Sequence, residues 1–151
     1  MSIESQPAVA NGPHRLNQRL AHRTLLAVTA FSAVSAVGGG VGLLITDGLG
    51  MPLSFLTDGP FHSFVWPGML LLFVIGGTQT LALVLLLRRA PARLMASAVA
   101  GFGMVIWITV EVALIKEFSW LHAVYLAAGL LQLAAVLGEL GIVPQRQSSP
   151  T

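Results

Sequence analysis

The first long apolar stretch of the chain, residues 24–46, reads TLLAVTAFSAVSAVGGGVGLLIT and contains no charged side chain. A helix of about 20 apolar residues crosses a bilayer core about 30 Å thick, so this stretch is long enough to span a membrane. It follows a mostly polar segment, residues 1–23, and no small-residue cleavage site comes after it. We therefore expect a retained membrane span rather than a signal peptide.

Three further stretches of similar length and character follow, at residues 65–87, 94–115 and 120–140. Of all 151 residues, 55% are hydrophobic and 9% are charged, whereas roughly 25% of the residues of a soluble domain are charged. So few charges cannot give a fold of this size a polar surface. The chain contains no cysteine, which excludes disulfide scaffolds, thiol catalysis and cysteine-bound metals. The composition therefore predicts a four-span membrane protein.

The basic residues lie almost entirely on one side of the predicted spans. Seven arginines precede span one, separate spans two and three, or follow span four: Arg15, Arg19, Arg23, Arg88, Arg89, Arg93 and Arg146. Lys116 is the one basic residue on the other side. The positive-inside rule then predicts cytoplasmic segments at 1–23 and 141–151 of a multi-pass protein of the inner (plasma) membrane. These arginines indicate topology and contact with anionic lipid, not nucleic-acid binding.

The loop between spans one and two, residues 47–64, reads DGLGMPLSFLTDGPFHSF. Each Asp-Gly pair favours a turn, and residues 51–56 favour one short helical turn, with Pro52 near its start. A loop this apolar is expected to lie on the outer leaflet or to fold over the mouth of the bundle. The second arrangement would make it a lid.

Small or polar residues recur at helical spacing within each predicted span. The four stripes are Thr24, Ser32, Ser35, Gly39, Gly42 and Thr46; Gly68, Gly76 and Gln79; Ala96, Ala100, Gly103, Trp107 and Glu111; and His122, Tyr125, Gly129, Gln132, Val136 and Glu139. Close contact at small residues and polar contacts hold membrane helices together. We therefore expect the stripes to face one another in an all-α, antiparallel bundle of four transmembrane helices with both termini in the cytoplasm.

Two features of these stripes suggest specific contacts. At about 1.5 Å per residue, Gln79 and Gln132 fall at one level near the membrane midplane, where they could join the helices by hydrogen bonds or line a path for a substrate or ion. The run Gly38-Gly39-Gly40 weakens a helix, which favours tight helix contact over a kink or a ligand site. Glu139, at the inner end of span four, is expected to pair with the arginines between spans two and three.

Glu111 is the acidic residue deepest in the outer half, one helical turn from Trp107. An ionisable residue within a span is a candidate functional residue. His122, at the outer start of span four, is expected at nearly the same height, with Tyr125 one turn further in. His62 and Asp58 of the outer loop could reach the same mouth.

This cluster has three interpretations. Glu111 could bond His122 or Tyr125 and tie spans three and four together. Glu111 and His122 could instead form a proton-transfer or ligand-binding pair beneath the outer loop. Alternatively, His62, His122, Glu111 and Asp58 could bind a divalent metal such as zinc. No recognised metal-ligand spacing supports the last interpretation, and we expect neither a metal nor a cofactor.

The plan of the chain resembles small four-span bacterial inner-membrane proteins, of which the DoxX-like proteins are one group. The resemblance covers residues 24–140 and consists of chain length, span number and the length of the first outer loop. It implies a helical membrane protein and carries over no functional residues.

The expected function is that of a small accessory or assembly protein without catalytic activity, with membrane lipids and a second copy or a larger membrane protein as partners. An alternative is an outer-facing site, or a membrane enzyme, for a lipid, isoprenoid or quinone-like molecule. The catalytic candidates would then be Glu111 and His122, and the ligand contacts would be Glu111, Trp107, His122, Tyr125, His62, Asp58, Gln79 and Gln132. A third possibility is a proton-coupled small-molecule transporter that uses Glu111 and the two glutamines.

Overall fold

The computed structural model describes residues 12–56, 60–115 and 119–141, and within these ranges the protein is helical and contains no β-strand. The four long helices are α1 (Gly12–Thr46), α2 (Val65–Leu87), α3 (Arg93–Ile115) and α4 (Trp120–Glu139). A short 3-10 helix, Leu53–Leu56, follows Pro52 in the loop between α1 and α2. Each long helix is long and apolar enough to cross a membrane. The protein is therefore a multi-pass membrane protein built as a four-helix bundle.

Helix α2 changes its winding partway along. Its first segment, Val65–Met69, and its last, Gly77–Leu87, are α-helical, whereas Leu70–Gly76 forms a π-helix. A π-helix bonds each N–H to the fifth preceding carbonyl and is wider than an α-helix. The sequence pattern did not reveal this segment, which packs against α1 at the glycine run.

The helices are arranged as a ring. Helix α1 packs against α2 and α4, and α3 packs against the same two helices. The outer faces expose large apolar side chains, among them Val34, Ile45, Phe73, Met95 and Ile106. Acyl chains can cover such faces at no hydrophobic cost, since every helix satisfies its backbone hydrogen bonds internally.

The interior combines small apolar clusters with one polar layer. We call the end of the bundle that carries residues 47–64 the loop end, and the end near Arg88, Arg89 and Arg93 the arginine end. One apolar cluster lies at each end, and a third, around Ile75 and Met104, lies between them. The fully buried polar side chains form the polar layer: Thr29, Ser32, Gln79, Ser97 and Gln132.

At the arginine end, a buried carboxylate joins three helices. His22 Nδ1 of α1 donates to Glu139 Oε1 of α4 at 2.8 Å, and Arg93 of α3 lies 3.6 Å from the second carboxylate oxygen. The expected pairing of Glu139 with an arginine between spans two and three is confirmed for Arg93. The contact with His22 was not anticipated, because the two residues lie 117 positions apart.

The predicted stripes agree with the buried faces on α2 and α4 but not on α1 and α3. Gly76 and Gln79 of α2 are buried, as are Gly129, Gln132 and Val136 of α4. On α3 the most buried side chains are those of Ser97, Ala100, Met104 and Ile108. Three of the five predicted α3 positions, Ala96, Gly103 and Trp107, therefore lie one position before the buried face. On α3 the large side chains of Met104 and Ile108 fill the core. On α1 the buried residues likewise include Leu25, Ala36, Gly40 and Leu43, each one position after a residue of the predicted stripe.

Candidate functional site

A cavity of about 600 Å³ opens inside the loop end of the bundle. All four helices and the loop contribute to its wall. The lining consists of Ser35, Ala36, Gly39 and Leu43 from α1; Leu49 and Met51 from the loop; Leu71 from α2; Met104, Trp107, Ile108 and Glu111 from α3; and Ser119, Leu121, His122 and Tyr125 from α4 and its cap. The wall is mostly apolar, and its few polar groups come mainly from α3 and α4.

Glu111 and Trp107 lie one turn apart on α3, and both side chains face this cavity. The Trp107 indole lies close enough to the Glu111 carboxylate to interact with it. An ionised carboxylate has about four acceptor sites, so one indole neighbour leaves most of them for other partners. Glu111 is half-buried, and it is therefore accessible from the cavity.

His122 has a structural role that was not predicted from the sequence. Its Nδ1 accepts a hydrogen bond from the backbone N–H of Ser119 at 3.0 Å, while the Ser119 hydroxyl accepts from the N–H of Leu121 at 3.4 Å. This reciprocal arrangement is a capping box, in which the third helical residue is usually Glu or Gln rather than His. The Ser-x-x-His spacing is the sequence signal for this cap. The cap fixes the imidazole ring of His122 at the rim of the cavity.

An aromatic pair forms another part of the wall. The ring of Tyr125 stacks on Phe31 of α1, with ring centroids 5.8 Å apart and planes 18° apart. This contact joins α1 to α4 and fixes one face of the tyrosine ring. Stacked aromatic pairs of this kind add about 0.5–1.5 kcal/mol beyond the burial of their area.

The loop folds over the bundle and contributes to the cavity wall. Leu49 and Met51 line the cavity, while Leu56 and Phe64 are buried against Leu43 of α1. The four residues that follow α1, Asp47 to Gly50, all have positive φ angles, between 49° and 110°. The N–H of Leu49 is held by the Thr46 hydroxyl at 2.8 Å. This tight reversal turns the apolar part of the loop back onto the helices, as the lid arrangement requires.

The structure brings together some of the predicted site residues and separates others. Trp107, Glu111, His122 and Tyr125 all line the cavity. His62 is exposed in the loop and does not line it, and Asp58 lies outside the described residues. The contributions of α1, especially Ser35 and Gly39, were not among the predicted ligand contacts.

Gln79 and Gln132 form a separate, fully buried layer. Gln79 Nε2 donates to Gln132 Oε1 and to the Ala100 carbonyl, each at 3.1 Å, and Gln132 Nε2 donates to the Ser97 carbonyl at 3.0 Å. Neither side chain lines the cavity. These bonds tie α2, α3 and α4 together, which is the structural interpretation of the two glutamines.

Within residues 12–56, 60–115 and 119–141, no three His, Asp or Glu side chains are grouped so that they could hold a metal ion.

Comparison of the chain with protein-family models, with curated proteins and with solved structures finds no match. The resemblance to small four-span membrane proteins is therefore one of plan, and the function has to be inferred from the site itself.

Proposed function

We propose that this protein binds one small amphiphilic molecule, of the lipid, isoprenoid or quinone class, in the cavity at the loop end. The observation that carries the proposal is a mostly apolar cavity of about 600 Å³ with Glu111 and His122 in its wall. Sites for small molecules usually enclose about 300–1,000 Å³ and combine apolar walls with a few fixed polar groups. An apolar body would occupy the interior, and a polar end would lie near Glu111.

The charge pattern supports an orientation for this site. With the helices antiparallel and the arginine end in the cytoplasm, the cavity lies in the outer half of the plasma (inner) membrane. The apolar loop then lies at the outer surface, where amphiphiles from the outer leaflet can reach it. Glu111 and His122 would be the acid and base groups next to the ligand in any reaction there.

A second role, as an accessory or assembly subunit, is favoured by the outer surface of α1 and α2. An apolar groove there contains Gly77, and a methyl group added to Gly77 would meet no atom within 4 Å. Packing inside this chain therefore does not explain this glycine, whereas small residues let a second helix approach closely. Such a subunit would take a second copy or a larger membrane protein as its partner.

Photo-crosslinking tests the binding proposal, because two methionines of α3 occupy contrasting positions. Met104 lines the cavity and is 2% exposed, whereas Met95 lies on the outer surface and is 70% exposed. We expect a fatty alcohol that carries a diazirine to label both positions in membranes. Ser35→Trp, which fills the cavity from α1, should remove the label at Met104 and leave the label at Met95. Labelling at Met95 alone in the wild-type protein would contradict the proposal.

A further inference from the structure

We infer that the polar end of the ligand is a cation, such as an alkylamine or a quaternary ammonium, held between the Glu111 carboxylate and the aromatic rings of Trp107 and Tyr125. This inference rests on the proposed binding function and specifies its ligand class.

The charge of the cavity wall favours a cation. Among the described side chains of the lining, Glu111 is the one acidic residue, and none is Lys or Arg. The described arginine nearest to a carboxylate, Arg93, pairs with Glu139 at the opposite end of the bundle. An opposite charge beside Glu111 would gain far more in this low-dielectric region than in water. A fatty acid or phosphate group would instead meet a like charge, with no basic partner in the described part of the wall.

His122 is already bonded within the wall of the cavity. Its Nδ1 accepts the N–H of Ser119 at 3.0 Å, which fixes the ring in the cap of α4. Glu111 is therefore the acidic group that the described lining offers to a ligand.

The aromatic residues of the wall favour a cation independently. Trp107 and Tyr125 both line the cavity with Glu111, and the ring faces of Trp and Tyr attract cations. The Trp107 indole lies beside the Glu111 carboxylate. A carboxylate with adjacent aromatic faces in an apolar cavity matches an ammonium group attached to an alkyl or aromatic body.

Quenching of Trp107 fluorescence tests the charge of the ligand. The chain has three tryptophans, and Trp66 and Trp120 are 60% and 71% exposed on the outer surface. The variant Trp66→Phe/Trp120→Phe therefore leaves Trp107 as a reporter in the cavity. Two nitroxide quenchers with the same decyl chain, one a dimethylammonium cation and one a neutral amide, are titrated in nanodiscs. The variant Trp66→Phe/Trp107→Phe, which keeps Trp120, corrects for partition into the bilayer.

We expect the cation to quench Trp107 at about tenfold lower concentration than the neutral quencher, since the two differ in the charge that Glu111 attracts. Glu111→Gln should remove this difference. Glu139→Gln, which removes a carboxylate at the opposite end, should preserve it.

Equal, saturable quenching by both probes would overturn the cation assignment and leave the binding proposal intact. A cation preference that persists in Glu111→Gln would also overturn the assignment. If neither probe quenches Trp107 saturably, the binding proposal fails as well. If Glu111→Gln does not fold, the preference of the protein with Glu111 intact for the cationic over the neutral quencher still tests the assignment.

Discussion

Gly40→Ala should destabilise this protein more than the same change at any neighbouring glycine of α1. A Cβ atom at Gly40 would lie 2.7 Å from the Cβ of Leu72, 2.8 Å from its backbone nitrogen and 2.9 Å from its Cα. Backbone atoms of the π-helical segment cannot rotate away as a side chain can, so α1 and α2 must separate. Overpacking of this kind costs about 1–3 kcal/mol and occasionally more. Thermal unfolding in detergent, followed by circular dichroism, measures the loss.

Gly38→Ala is the matched control for this change. It lies two residues away in the same glycine run, and an added methyl group there would meet nothing within 4 Å. Because alanine favours a helix over glycine by about 1 kcal/mol, we expect an unchanged or slightly higher unfolding temperature. Equal damage from both substitutions would show that the run is required for a reason other than contact between α1 and α2.

Gln132→Leu should give the second largest loss of stability. The substitution removes the oxygen that accepts from Gln79 Nε2 and the nitrogen that donates to the Ser97 carbonyl. Both hydrogen bonds are buried. A buried polar group left without its partner costs about 1–3 kcal/mol. Denaturation by sodium dodecyl sulfate in mixed micelles measures the change in the free energy of unfolding. Gln18→Leu, at an exposed position of α1, should leave this free energy nearly unchanged.

A double-mutant cycle identifies the source of that loss. Gln79→Leu and Gln132→Leu break the same amide pair, so the double variant should lose less stability than the sum of the two single variants. Additive losses would mean that the two side chains act independently, in contradiction to the observed hydrogen bond.

The span positions were predictable because hydropathy depends on composition alone. The segments able to cross a membrane, Asn17–Thr46, Val65–Leu87, Arg93–Leu114 and Trp120–Glu139, overlap the four apolar stretches of the sequence. The short helical turn after Pro52 was also predictable from turn residues and is confirmed as the 3-10 helix Leu53–Leu56. These features depend on neighbouring residues, which the sequence shows directly.

Features that depend on contacts between distant segments were harder to predict. The π-helical segment Leu70–Gly76 lies against Gly40, 30 or more positions earlier in the chain. The partner of His22 is at the end of α4. The buried face of α3 differs from its stripe of small residues because Met104 and Ile108, rather than Gly103, fill the core. Helical periodicity identifies possible faces but does not decide which one the neighbouring helices cover.

The site was predictable only where it depends on local spacing. Glu111, Trp107, His122 and Tyr125 share a level near the ends of two consecutive helices, so spacing alone brought them together. The wall formed by Ser35 and Gly39 depends on how α1 packs, and the exposure of His62 depends on how the loop folds. Neither the volume of a cavity nor its closure by a loop is encoded in local spacing.

Native mass spectrometry of the protein released gently from membranes tests the central claim most directly. The spectrum reports the number of subunits and any retained small molecule at once. The binding account predicts an adduct of defined amphiphile mass on the wild-type protein, absent from Ser35→Trp, whose added side chain occupies the cavity. A wild-type protein with no bound small molecule, or an adduct that is equally abundant on Ser35→Trp, would contradict the account. A co-purifying protein partner without an adduct would favour the accessory role instead.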